Sequence, residues 1–181
     1  VKMLRAARAL ADAAPVRIEP TLLALHALPP EYRERREDYV QLAIEAILPA
    51  VTAEDLATAV DAFCERIGFT PDEVEQFLSA ADDLGLRIKL HAEQLSNLRG
   101  AALAARYHAL SADHLEHVDE EGVRAMAAAG MVAVLLPGAF HALREVKRPP
   151  IDLFRQHRVP MAVATDCNPG TSPVLSPTLM L

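Results

Sequence analysis

The stretch ALSADHLEHVDEEGVRAMAAAGMVAVLLPG, residues 109–138, decides the fold. It opens with an apolar run, Ala109 to Leu115, that carries Asp113 and His114. Asp119-Glu120-Glu121 follows, three carboxylates where the partial positive charge of a helix N-terminus favours them. Gly130 supplies the stop signal of that helix. Met131 to Leu136 is apolar throughout, and Pro137-Gly138 halts it. A strand, a helix and a second strand fully apolar along its length describe parallel strands joined by a crossover helix.

The same pattern extends in both directions. Upstream, Val16 to Leu28 is an extended apolar run stopped at Pro29-Pro30. Arg35 to Leu48 has helical periodicity, with Tyr39, Val40, Leu42, Ala43, Ala46 and Ile47 as its apolar positions. Ala57 to Phe63 is a short apolar strand running into Cys64-Glu65. Thr70-Pro71-Asp72-Glu73 reads as a helix start, with Thr70 as cap, proline in the first turn and Glu73 at the capping-box position. That helix ends at Leu84-Gly85, Leu86 to Leu90 forms a strand leading into His91, and Asn97 to His108 is Ala-rich and helical. Downstream, a short helix over Ile151 to His157 precedes a last strand, Val159 to Thr165. Six strand–helix units are expected. A complete (β/α)₈ barrel takes about 250 residues, so 181 residues fit a partial TIM barrel forming one domain over residues 1–181. An open doubly wound sheet is the alternative, but no glycine-rich phosphate turn follows any strand.

Composition narrows the function. The chain is 51% hydrophobic and 24% charged, with a formal net charge of -7. Nothing in it resembles a basic nucleic-acid footprint. No apolar run reaches the roughly 18 residues of a membrane helix. Cys64 and Cys167 make no disulfide framework, which fits a reducing cytoplasm. The expected partner is a small molecule, with neither nucleic acid nor membrane.

In parallel α/β folds the chemistry sits at the carboxyl ends of the strands. His26, Cys64-Glu65, His91, His114 and Asp166 all fall there. His91 offers a neutral imidazole and Asp166 a hard carboxylate to a divalent metal. Such a metal brings the pKa of bound water to about 7, and Asp166 can accept the proton. His114 can polarise a carbonyl or stabilise an oxyanion. Cys167 has no base placed beside it by sequence and reads as a small packed thiol. His108, His117, His141 and His157 read as surface or capping residues, and Glu31 to Asp38 as the solvated start of a helix.

IKLHAEQLSN, LSADHLEHVDEEGV, VAVLLPGAFHALRE and VATDCNPGTSP, with LHALPPEY upstream, closely resemble the imidazolonepropionases of the amidohydrolase superfamily. The resemblance runs from MLRAARAL to the end of the chain. It implies a metal-dependent TIM barrel that opens the ring of 4-imidazolone-5-propanoate to N-formimidoyl-L-glutamate in histidine degradation, using zinc or iron. It makes His91 and Asp166 metal ligands, and His114, Asp166 and Gln94 catalytic residues. Gln94 sits where some relatives carry Glu in contact with the substrate ring, a substitution that leaves the acid–base role of the position open. His26, Gln94, Asn168, Gly170 and Thr171 are implied to bind substrate, and a homodimer is a candidate assembly of the full-length enzyme.

The chain departs from the family in lacking the His-x-His pair expected at the end of the first barrel strand. The expectation is therefore a central piece of the enzyme, strands 3 to 8, without the first two strands and the small β-sandwich. Two alternatives stand beside it: another cyclic amidohydrolase or deaminase, and a non-catalytic barrel piece.

Overall fold

A computed structural model describes residues 1–181, the side chain of Asp12 excepted. The chain divides into two compact units, Val1–Lys89 and Leu90–Leu181.

The first unit begins with a helix, α1 (Lys2–Ala13), which the sequence reading did not assign. Its Ala, Leu, Arg, Lys and Met residues are strong helix formers. Strand β1 (Thr21–Leu25) is shorter than the apolar run Val16 to Leu28. Pro20 has no N–H for a ladder, so the strand starts after it. The helical stretch after Arg35 is longer than expected: α2 (Arg36–Leu42) passes through a π-helical segment, Ala43–Ile47, into α3 (Leu48–Ala53). Strand β2 (Ala59–Cys64) is buried at every residue, and it pairs with β1 in parallel, Thr21 facing Ala59 and Leu22 facing Val60.

Helix α4 (Pro71–Asp83) starts as the sequence dictates. The Thr70 hydroxyl accepts from the Glu73 N–H at 3.3 Å, and the Glu73 carboxylate accepts from the Thr70 N–H at 2.8 Å. Gly85 then ends the helix with φ +73°. Arg36 extends the cap by donating to the Glu73 carboxylate and, at 2.6 Å, to the Gly68 carbonyl. Gly68 is obligatory, because a Cβ there would lie 2.6 Å from the Phe63 carbonyl oxygen. Burial pushes the Glu73 carboxyl up, but its hydrogen bonds from Arg36 and Thr70 outweigh that and hold it below the usual range. Its contribution to stability is therefore present above the ordinary carboxylate pKa and is lost as pH falls below it. Thr70→Ala should lower stability by about 1 kcal/mol, and Thr70→Ser should restore it. Urea unfolding reads both, and equal midpoints for wild type and Thr70→Ala would show that the box is idle.

Strand β3 (Arg87–Ala92) carries the chain into the second unit. There follow α5 (Gly100–Arg106), β4 (Ser111–His114), α6 (Glu120–Ala129), β5 (Val132–Leu135), α7 (Pro137–Ala142), α8 (Ile151–Gln156) and β6 (Met161–Val163). Helix α5 begins at Gly100 rather than near Asn97. The Asn97 side chain accepts from the Arg99 N–H at 3.0 Å, and that local turn competes with helix. Asp119 caps α6 by accepting from the Gly122 N–H at 2.9 Å, and Gly130 closes it at φ +70°. Pro137-Gly138 does end β5, as expected, but it also opens the short helix α7, because proline is tolerated at the first helical position.

The strands follow one another in the order β1-β2-β3-β4-β5-β6. Sequential order without a reversal point is the topology of a (β/α)₈ barrel and excludes the doubly wound alternative. Burial differs from the expectation at one strand. All three residues of β6 are exposed, since among the described residues β6 pairs only with β5 and little packs on its faces.

Candidate active site

The ladder register of the second unit brings the carboxyl ends of its strands level. Asp113 faces Val134, and Val134 faces Ala162. His114 thus stands level with Leu135 and Val163, and Asp166 lies three residues past Val163 on the same rim. His91, one residue from the end of β3, meets His114 with ring centroids 5.3 Å apart. Of the residues singled out by sequence, His91, His114 and Asp166 share this rim.

Four non-glycine residues at the ends of these strands have left-handed backbone: Glu93 (φ +51°), His114 (+76°), Leu115 (+69°) and Asp166 (+49°). Such conformations cost on the order of 1–3 kcal/mol each and persist where the surroundings over-determine them, as they do at active sites. The turn also has a geometric effect. Alternation along a strand sends Asp113 and His114 to opposite faces. By leaving the extended conformation, His114 re-aims its ring, and it reaches His91 although Asp113 also lies near. The ligand atoms of His91 and Asp113 come within 4.8 Å of each other. Asp113 was visible in the SADH motif, but no role was read for it; the parallel alternation of β3 and β4 was the signal that could have found it.

His114 is 3% exposed, and its Nδ1 has no hydrogen-bond partner among the described residues. Burial above all, then the neighbouring His91, pushes its ring down to about 3. It is therefore a neutral imidazole at neutral pH, able to donate from one nitrogen and accept at the other.

The loop after β6 is organised by its own side chains. Asn168 Nδ2 donates to the Asp166 carbonyl and to Thr171 Oγ1, both at 2.8 Å. Its Oδ1 accepts from the N–H groups of Gly170 at 2.9 Å and Thr171 at 2.8 Å. Buried Ser172 donates from Oγ to the Thr165 carbonyl at 2.5 Å. The Asn168 side chain thus shapes the loop that carries Asp166, and Gly170 and Thr171 form its tip. Gln94 is 7% exposed, on the loop just past β3. His26 lies in the first unit, directly after β1, exposed and 5.8 Å from the Phe63 ring. Cys167 is exposed rather than packed. Glu93 and Glu116, both buried, were not singled out by sequence.

His91 and Asp113 offer an imidazole and a carboxylate side by side, donor types that suit a metal ion. The paired donors of His91 and Asp113 are the observation on which that fit rests.

No protein-family model matches the chain. Among curated proteins it is similar to imidazolonepropionase of Ectopseudomonas mendocina (strain ymp), 64% identical over 180 residues, 99% of this chain and 44% of that protein. Imidazolonepropionase of Yersinia pseudotuberculosis serotype O:1b (strain IP 31758) is 59% identical over 181 residues, 100% of this chain and 45% of that protein. The chain spans a little under half the length of these relatives. Among solved structures, 5-methylcytosine deaminase from Klebsiella pneumoniae liganded with 5-fluorocytosine matches with a TM-score of 0.64 at 16% identity, over 90% of this chain and 44% of that one. An adenosine deaminase from Xanthomonas campestris with bound Zn matches with a TM-score of 0.59 at 16% identity, over 91% of this chain and 40% of that one. At such identities the likeness is one of fold: parallel strands alternating with helices, part of an α/β barrel.

Proposed function

We propose, from the premise that this chain belongs to the imidazolonepropionase family of the amidohydrolase superfamily, that the whole protein hydrolyses 4-imidazolone-5-propanoate to N-formimidoyl-L-glutamate. The observation that carries the reading is the 64% identity along essentially the full chain. It is supported by the strained rim on which His91, His114 and Asp166 sit.

In this reading His91 and Asp166 hold one divalent or trivalent ion, zinc or iron, with Asp113 beside them. The ion supplies Lewis acidity that activates water at neutral pH. The reaction adds water oxygen to the ring carbonyl carbon and breaks the ring C–N bond. Asp166 accepts the proton that water gives up and returns it to the departing nitrogen. Neutral His114 hydrogen-bonds the carbonyl oxygen as negative charge develops there. Gln94 hydrogen-bonds the substrate ring through its amide and moves no proton, since a carboxamide does not titrate in this range. Gly170 and Thr171 meet the substrate through the loop that Asn168 shapes, and His26 is assigned to substrate by the family resemblance. The reading treats residues 1–181 as one partial barrel domain of a cytoplasmic enzyme, a homodimer in its full-length form. No helix among the described residues is long and apolar enough to cross a membrane.

The deaminase likeness of the fold gives the second reading, a different cyclic amidohydrolase or deaminase. Steady-state turnover by the full-length protein separates them. Imidazolone propionate should be opened, while other cyclic amides and aminated heterocycles should not react. Ammonia release from an aminopyrimidine or aminopurine, with the imidazolone left intact, would replace the first reading by the second. A full-length protein that binds no metal and turns over nothing would point to the non-catalytic reading.

A further inference from the structure

We propose that Glu93 is a positioning residue, a buried carboxylate that fixes the turn presenting His114 and the loop presenting Gln94; the catalytic part of this inference rests on the function proposed above. Glu93 is wholly buried and left-handed at φ +51°. A buried carboxylate in strained backbone is unfavourable unless strong hydrogen bonds hold it. Here they do. Its Oε1 accepts from the Gly100 N–H at 2.5 Å and its Oε2 from the Ala101 N–H at 2.9 Å. These are the first two residues of α5, whose N–H groups have no intrahelical partner.

The backbone of the same segment binds the other side of the rim. The Glu93 carbonyl accepts from the His117 N–H at 2.7 Å, and the Ala92 carbonyl accepts from the Leu115 N–H at 3.1 Å. Leu115 is the second residue of the left-handed pair that turns the His114 ring. Glu93 therefore ties the end of β3 to the start of α5 and, at His117, to the segment that follows His114, while its neighbour Ala92 holds Leu115. Gln94 follows Glu93 in sequence and His91 stands two residues before it, so their placement depends on the same anchor. The bidentate grip needs two oxygens at this reach. Gln would set an NH₂ against one of the two N–H donors, and Asp is one methylene short.

Supporting groups around an active site commonly change activity by 10–100-fold when altered. In the full-length protein, Glu93→Gln should lower kcat on the order of 10–100-fold with KM within about twofold. Glu93→Asp should recover part of that loss if its shorter carboxylate keeps one of the two bonds. Histidine side-chain NMR provides the second readout: the His114 ring resonances should shift in Glu93→Gln, while those of exposed His141 on α7 stay in place. Wild-type protein without turnover of imidazolone propionate would end the function reading alone, and the NMR comparison would still decide the positioning role. A folded Glu93→Gln with wild-type kcat and unmoved His114 resonances would overturn it. So would loss of the fold in both variants, which would make Glu93 a folding determinant only.

Discussion

Asp166→Asn in the full-length protein is expected to lower kcat by about 10²–10⁴-fold, the usual contribution of a general acid–base group, with little change in melting temperature. Asn has the size of Asp but cannot take up the proton. The fold should survive because the loop around residue 166 is held by groups that the substitution leaves alone. Asn168 binds the residue-166 carbonyl, Gly170 and Thr171, and Ser172 closes onto Thr165. Gly138 lets that closure happen, since a Cβ there would lie 2.9 Å from Ser172 Oγ. Asn also adopts left-handed backbone as readily as Asp, so φ +49° at this position is no obstacle. Near-normal kcat in a folded Asp166→Asn protein would remove Asp166 from the role of base. A collapse in metal content alongside kcat would instead emphasise its role as a ligand, and the two are separated by measuring metal and turnover on the same sample.

His114→Asn should cost on the order of 10²–10³-fold in kcat, the range seen when one oxyanion donor is removed. The side chain of Asn is short of the position that the imidazole ring reaches, and it tolerates the left-handed backbone that a β-branched or bulky replacement would not. The comparison variant is His114→Gly, which adopts the left-handed backbone freely, carries no polar side-chain atom and should be at least as inactive. Equal kcat in wild type and His114→Asn would show that Nδ1, which has no hydrogen-bond partner among the described residues, has no part in the chemistry. Because the imidazole is already neutral well below neutrality, the loss should appear across the whole neutral range.

The strand–helix alternation was legible because it is written in local signals. The capping box at Thr70 and Glu73, the acidic start at Asp119 and the stop glycines 85 and 130 all act within a few residues of themselves. The rim residues were legible for a related reason: His91, His114 and Asp166 end apolar runs, and strand ends in parallel sheets share one side. What the sequence hid depends on contacts distant along the chain or on backbone angle. Glu93 looks like any acidic residue beginning a loop; only the arrival of Gly100 and Ala101 shows that it is buried and bound. Asp113 reads as the outward partner of His114 until β3 brings His91 beside it. Proline 137 looks like a stop signal alone, because the helix it begins depends on residues that the stop rule does not consult. The exposure of β6 was hidden in the same way, since an apolar Met-Ala-Val triplet does not say what packs on it.

The left-handed residues at the rim place two selective demands in opposition. Glu93, His114, Leu115 and Asp166 each hold a conformation that glycine adopts without penalty. Glycine at half-buried Asp166 would relieve backbone strain without opening a cavity in the core, but in the proposed function that position carries a polar group of the site. Stability gained there is gained at the expense of turnover. A library of this protein screened for thermal tolerance alone would therefore drift toward dead enzymes first along this rim. Scaffold positions such as Thr70 and Gly68, where fold and function make no competing claims, would tolerate the same screen.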